Sequence, residues 1–288
     1  MRIAYLGSPE MAVPPLRAVH ESGHEVVLVV SGADKRRGRG KETSPSPVKA
    51  AALELGLDVT ADPEDLLAVD ADLGVVVAFG RIIKPHLLAH LAMVNIHFSL
   101  LPRWRGAAPV ERAILAGDDR TGVCLMTVEE GLDTGGVYAR CEVPIGPDTT
   151  AAELREVLVA TGTDLLVDRL GSGLGSPEPQ SDEGVTYAHK LRSADLELHW
   201  DRPAVELHRI VRVGGAWTTF RGKRLKVHSA RLFRPASGGE PGSLDGVVAA
   251  TGDGALELEV VQPEGRGAME AAAWVRGAQL TDDDRLGR

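Results

Sequence analysis

Cysteine is almost missing from this sequence: Cys124 and Cys141 are the only two among 288 residues. Two thiols cannot form the framework that staples small secreted domains, and these lack the paired spacing of a zinc site. Both fall in strand-like runs, so buried free thiols in a reducing compartment are expected. Long apolar runs are missing too. No stretch reaches the ~20 apolar residues needed to cross a bilayer. The opening Met1-Arg2-Ile3-Ala4-Tyr5-Leu6-Gly7 is too short an apolar run for a secretory signal. A cytoplasmic protein with no membrane partner is therefore expected. Gly7-Ser8-Pro9-Glu10-Met11 lacks the Gly-x-Gly-x-x-Gly that seats a dinucleotide on a helix N-terminus. That removes the main support for a nicotinamide-dependent dehydrogenase. No His-x-x-x-His is expected on a helix and no metal site is expected. No internal repeat is found.

What is present is an ordinary globular composition, 43% hydrophobic and 25% charged, on a chain long enough for two domains. The net charge of −9 argues against a general nucleic-acid binder. Its distribution reverses that impression. Residues 185–236 hold eleven Lys or Arg against four Asp or Glu, formally +7, which leaves −16 for the remainder. An acidic chain polarised in this way can still present a basic face.

Ile3 to Gly7 reads as a buried strand, Pro14 to His20 as a helix, and Val26 to Val30 as a second strand. This rhythm predicts a parallel, helix-covered sheet of Rossmann-like pattern. Asp34-Lys35-Arg36-Arg37-Gly38-Arg39-Gly40-Lys41 follows, with five basic residues in eight. It reads as a solvated loop or as a loop that grips phosphates, placed at the carboxyl ends of the strands. Val48 to Leu55 reads as a helix, and Leu73 to Phe79 as a central strand. Arg81-Ile82-Ile83 leaves that strand, with core packing the plain reading for both isoleucines. Ala107 to Leu115 is a predicted helix, Val123 to Val128 and Val137 to Val143 predicted strands. Thr150-Ala151-Ala152-Glu153 has the form of a capping box and opens a helix that runs to about Leu170. Residues 1–170 are read as one domain, and 171–193, rich in Gly, Ser and Pro at their start, as a linker. In 194–288 a helix over Pro203 to Val213 precedes short strands at Thr218–Phe220, Leu225–Val227, Gly246–Ala250 and Leu256–Val261, which suggest a small barrel.

The chain is organised around Asn95-Ile96-His97-Phe98-Ser99-Leu100-Leu101-Pro102-Arg103-Trp104-Arg105-Gly106. On an extended chain Asn95 and His97 share a face. An amide donor beside an imidazole can polarise a carbonyl and manage a proton. About thirty residues on, Gly131-Leu132-Asp133-Thr134-Gly135 places one carboxylate between glycines. Asn-x-His-x-Ser-Leu-Leu-Pro followed by Gly-Leu-Asp-Thr-Gly resembles the 10-formyltetrahydrofolate-dependent formyltransferases nearly end to end. Within that family the chain is most similar to the members that act on methionyl initiator tRNA. Val261-Gln262-Pro263-Glu264-Gly265-Arg266-Gly267-Ala268-Met269 fits the family's pattern, while the turn at Val213-Gly214-Gly215-Ala216-Trp217 is shorter than usual.

The resemblance implies an α/β Rossmann-like formyltransferase domain followed by a small OB-like β-barrel domain that contacts tRNA, acting as a monomer without a metal. It implies that 10-formyltetrahydrofolate is the co-substrate and Asn95, His97 and Asp133 the catalytic set. It places Phe79, Ile83, Ser99, Leu100, Leu101 and Pro102 around the folate, largely through backbone groups. It assigns Arg36, Arg37, Arg39 and Lys41 to the acceptor end of the tRNA. Arg103 and Arg105 are candidates for holding a phosphate or the folate glutamate and Trp104 for stacking, with surface or packing roles as the alternative. Four readings stand side by side: a formyltransferase of methionyl-tRNA, a formyltransferase of a small amine such as an amino-sugar nucleotide or purine precursor, a formyl-folate hydrolase, and an RNA-binding module on an inactive scaffold. Only the first and last have a use for the basic features.

Overall fold

A computed structural model describes residues 1–36, 43–233 and 239–288. The chain divides into two compact units. The first takes in Met1–Val110, Arg120–Ile145 and Glu153–His189, and the second Glu111–Asp119, Gly146–Ala152 and Lys190–Arg288. The stretch read as a linker therefore belongs to the first unit as far as His189.

In chain order the first part comprises β1 (Arg2–Gly7), α1 (Val13–Glu21), β2 (Glu25–Val30), a two-residue ribbon β3 (Lys35–Arg36) and β4 (Thr43–Ser44), α2 (Pro47–Glu54), β5 (Val59–Thr60) and β6 (Leu73–Val77). There follow α3 (Pro85–His90), β7 (Met93–His97), β8 (Arg105–Gly106), α4 (Pro109–Ala116), β9 (Arg120–Thr127), β10 (Val137–Pro144), α5 (Ala151–Ser172) and β11 (Tyr187–Ala188). The main sheet runs β10-β9-β7-β6-β1-β2-β5. Strands β5, β2, β1, β6 and β7 are parallel, as the continuous apolar runs predict: every residue of β6 is buried. Helix α2 begins where Ser46 Oγ accepts the Lys49 N–H and Pro47 supplies a preset first turn. The sheet is not wholly parallel. β9 lies antiparallel to β7 and β10 antiparallel to β9. The nine residues joining β9 to β10 are too few for a crossover, so they form a hairpin.

In the second unit α6 (Ala204–Val213) precedes β12 (Trp217–Phe220), β13 (Lys223–Phe233), β14 (Leu244–Asp245), β15 (Val248–Ala250), β16 (Ala255–Pro263), β17 (Met269–Glu270) and α7 (Ala271–Ala278). The turn between α6 and β12 is made by Gly214 and Gly215, both at positive φ. The antiparallel order is β12-β13-β16-β15-β14, with β17 on β16. Two edges remain, and the last residues of the chain join them. Phe220 bridges Leu286 on one side and Ser243 bridges Arg285 on the other. The Gly287 N–H donates to Thr219 O and the Leu286 N–H to Gly242 O, both at 2.8 Å. The tail so ties the two edges of the OB-like domain together. Leu286 points into a core with Leu207, Leu225, Val227, Leu256 and Trp274. Arg221 grips Asp284 with both fork nitrogens, at 2.7 and 2.6 Å, which holds the Asp284 carboxyl well below the usual carboxylate range.

Cutting Leu286 to Ala should empty part of this core and loosen the closing tail together. The expected cost is about 2–4 kcal/mol, read as a lower denaturant midpoint for the second unit. A loss below about 1 kcal/mol would mean that the barrel holds without its tail.

Candidate active site

The chain runs from β1 outward through β2 and β5, then returns to β6 on the other side of β1. Ligands of such sheets sit beyond the carboxyl ends of the strands at this reversal. His97 is the carboxyl-terminal residue of β7, the strand next to β6, and Asn95 lies two residues before it on the same face. Among the described residues the Asn95 side-chain amide has no hydrogen-bond partner. His97 is buried, 5% exposed. Its Nε2 lies 2.9 Å from the Trp104 carbonyl oxygen, which only an N–H can satisfy, so that contact places a proton on Nε2. Its Nδ1 faces Asp133 Oδ2 at 3.6 Å, an ion-pair separation rather than a hydrogen bond. Each ring nitrogen thus looks at an acceptor.

Two loops meet here. In the first, Ser99, fully buried, donates to Arg103 O at 2.6 Å, and the Leu101–Pro102 peptide is cis. Trp104 takes φ 64 and turns its carbonyl to His97 while its N–H donates to Thr186 Oγ1 at 2.8 Å. Gly106 takes φ 119, and a Cβ there would stand 3.0 Å from Ala188 O, the strand partner in β11. Its N–H donates to Asp133 Oδ2 at 2.7 Å. In the second loop Asp133 itself takes φ 51, a left-handed conformation that side chains adopt at a cost. A Cβ on Gly135 would overlap the Thr127 carbonyl oxygen, so the turn needs glycine there.

The structure therefore brings Asn95, His97 and Asp133 to one strand end. The other predicted residues lie as follows. The side chains of Phe79 and Ile83 pack with Leu6, Leu66 and Leu87. Ile82, read as core, is 93% exposed. Leu101 packs with Cys124, Met126 and Val137, and the Leu100 side chain covers Gly122. The Pro102 carbonyl accepts the Thr186 N–H at 3.4 Å. The Arg103 guanidinium lies over the Trp104 ring at 4.5 Å. Arg105 is buried, and its Nε and Nη2 donate to Gln180 Oε1 at 3.0 and 2.7 Å. Gln180, Thr186 and Ala188 reach the site from the stretch read as a linker; only the short apolar step at Tyr187-Ala188 hints at this in the sequence. Arg37, Arg39 and Lys41 lie outside the described residues, and Arg36 is placed by its backbone, paired with Thr43 in the ribbon.

Cys124 sits opposite His97 in the β7–β9 ladder, and burial pushes its thiol up, so it is packed and neutral. Cys141, expected to be buried, is exposed. His86 and His90 do stand four apart on α3, against the expectation, but His86 Nε2 pairs with Glu64 at 2.7 Å. Among the described residues no group of three or more His, Cys, Asp or Glu could hold a metal.

In the second unit, alternation along β13 turns Arg224, Lys226 and His228 outward and Leu225 and Val227 inward. Trp217 and Thr219 stand beside Lys226 and Arg224, and the Arg224 guanidinium stacks on Trp217 at 4.1 Å. Cations with an aromatic face suit phosphates and bases together. Among the described residues no helix is long and apolar enough to cross a membrane.

Comparison with known proteins gives the family. Residues 1–170 match the family model for formyl transferase, and 190–279 that for the formyl transferase C-terminal domain. A methionyl-tRNA formyltransferase of Jannaschia sp. is 45% identical over 97% of this chain and 98% of its own length. One from Symbiobacterium thermophilum is 44% identical over 96% of this chain and 92% of its own. Among solved structures, an N-formyltransferase of Helicobacter canadensis in complex with folinic acid and dTDP-3-aminofucose has a TM-score of 0.72 at 17% identity, covering 91% of this chain and 99% of its own. HypX of Aquifex aeolicus in complex with tetrahydrofolic acid has a TM-score of 0.68 at 18% identity, with 96% of this chain and 47% of its own covered. These two likenesses concern the fold.

Gly135→Ala should cost about 1–3 kcal/mol through forced displacement of the turn, measured by thermal unfolding. An unchanged melting temperature would mean that the turn gives way freely.

Proposed function

The chain belongs to the formyl transferase family, and we propose that it transfers the formyl group of 10-formyltetrahydrofolate to the amino group of methionyl initiator tRNA. The observation that carries the reaction is the His97–Asp133 pair at the carboxyl end of β7, with the Asn95 amide, without a hydrogen-bond partner among the described residues, on the same face. The substrate is supported by full-length similarity to methionyl-tRNA formyltransferases, and by the basic face of the second unit.

The reaction moves one proton. The amine nitrogen bonds to the formyl carbon, the bond from that carbon to the folate nitrogen breaks, and the amine's proton passes to the departing nitrogen. With Nε2–H committed to Trp104, Nδ1 is the ring nitrogen left to exchange a proton. Nδ1 takes the amine proton, Asp133 opposes the imidazolium that forms, and the same proton is returned to the leaving nitrogen. Asn95 donates to the oxygen of the formyl group as negative charge builds there. Because the side chains of Phe79, Ile83 and Leu101 are packed away and that of Leu100 lies against Gly122, they shape the folate site through the backbone they fix. The first unit, which runs on to His189, carries the chemistry, and Lys190–Arg288 of the second hold RNA. Arg36, Arg37, Arg39 and Lys41 grip the acceptor end, and the protein works as a monomer.

His97→Ala and Asp133→Asn should each cut formyl transfer to charged initiator tRNA at least ~100-fold, measured with labelled 10-formyltetrahydrofolate. Near-normal turnover in either soluble variant removes the pair from the reaction. Replacing Arg39 and Lys41 together with Ala should lower tRNA affinity and make its salt dependence shallower by about one to two counterions, with folate binding unchanged. Equal affinities and parallel salt slopes would bring back the small-amine formyltransferase and the hydrolase.

A further inference from the structure

The stretch 177–188 contains a side chain whose every polar atom is turned on the site. Gln180 Nε2 donates to Asp133 O and to Gly135 O, both at 2.8 Å. Its Oε1 accepts from Arg105 Nε and Nη2. Glu178 pairs with Val137 in both directions, at 2.8 and 2.9 Å, and so fixes the chain just before it. Arg105 is followed by Gly106, whose N–H holds the Asp133 carboxylate. A closed circuit results: Asp133 carboxylate, Gly106, Arg105, Gln180, Asp133 backbone. Among the described residues no carboxylate pairs with the buried Arg105 guanidinium, and the amide of Gln180 supplies the acceptor it needs. Without Gln180, the left-handed Asp133 loses two donors to its turn, and the segment carrying Gly106 loses its anchor.

From this geometry we infer that Gln180 is a positioning residue, which sets the Asp133 carboxylate against His97 Nδ1 by holding both the turn that carries it and the segment that donates to it. The inference rests on the functional reading above. Reacting groups tolerate little misplacement, and an error of ~1 Å can cost about 100-fold.

The test uses Gln180→Ala and Gln180→Glu in the full-length protein, each also combined with Asp133→Asn. Glutamate keeps the acceptor for Arg105 and loses both donors to the turn. Both single variants should lose about 10- to 100-fold in kcat for formyl transfer, with KM for folate and tRNA unchanged. In the Asp133→Asn background, read by single turnover, they should cost little more, because the group they position is gone. The 15N shifts of the His97 ring, recorded in the free protein, should move toward those of Asp133→Asn. Wild-type kcat in Gln180→Glu overturns the inference, and so does an equal fractional loss in both backgrounds or an unmoved His97 ring. A wild-type protein that transfers no formyl group strikes the functional reading alone, since the ring shifts still decide the positioning.

Discussion

One carboxylate has to reach a buried imidazole from a turn, and the first unit is arranged around that demand. His97 is fixed by a strand, whereas Asp133 sits on a left-handed residue that costs about 1–3 kcal/mol by itself. Its charge-assisted bond from the Gly106 N–H offsets part of that cost. Gly106 can approach only because it has no side chain against Ala188, and Trp104, also left-handed, can turn its carbonyl to His97 only because Thr186 takes its N–H. Three segments distant in sequence, 95–106, 131–136 and 177–188, therefore depend on one another.

That interdependence decides what was legible in the sequence. Asn95 and His97 are readable because two residues on one strand need only a period of two. β1, β2 and β6 are readable because burial on both faces demands unbroken apolar runs. Asp133 was placed by its motif, but its left-handed φ was not, since nothing local in Gly-Leu-Asp-Thr-Gly requires it. Gln180 and Thr186 escaped because their partners lie some fifty to eighty residues away, and a stretch poor in apolar residues looks like a linker whether or not its polar groups are engaged. Ile82 escaped for the opposite reason: apolar beside a core strand, it follows a left-handed step at Ala78 and faces outward. The barrel's short strands were legible and the tie across its edges was not, because the pairing of Phe220 and Ser243 with Leu286 and Arg285 is set by tertiary geometry rather than by any pattern in the tail.

The charge distribution has a physical sense once the two units are distinguished. A polyanion responds to local potential within about a Debye length, ~8 Å at physiological salt, and not to net charge. Arg224 and Lys226 can therefore attract phosphates on a chain whose net charge is −9. The acidic remainder opposes indiscriminate contact with nucleic acid elsewhere on the surface, because like charges repel wherever no basic strip intervenes. An enzyme that must choose one charged tRNA among many polyanions gains from that arrangement: attraction is confined to a few cationic positions, and the affinity they supply is limited to the counterions those positions release. Tight binding of RNA in general would occupy the protein without presenting an amine for reaction. A modest, localised basic strip leaves the choice of substrate to shape and to the fit of the acceptor end.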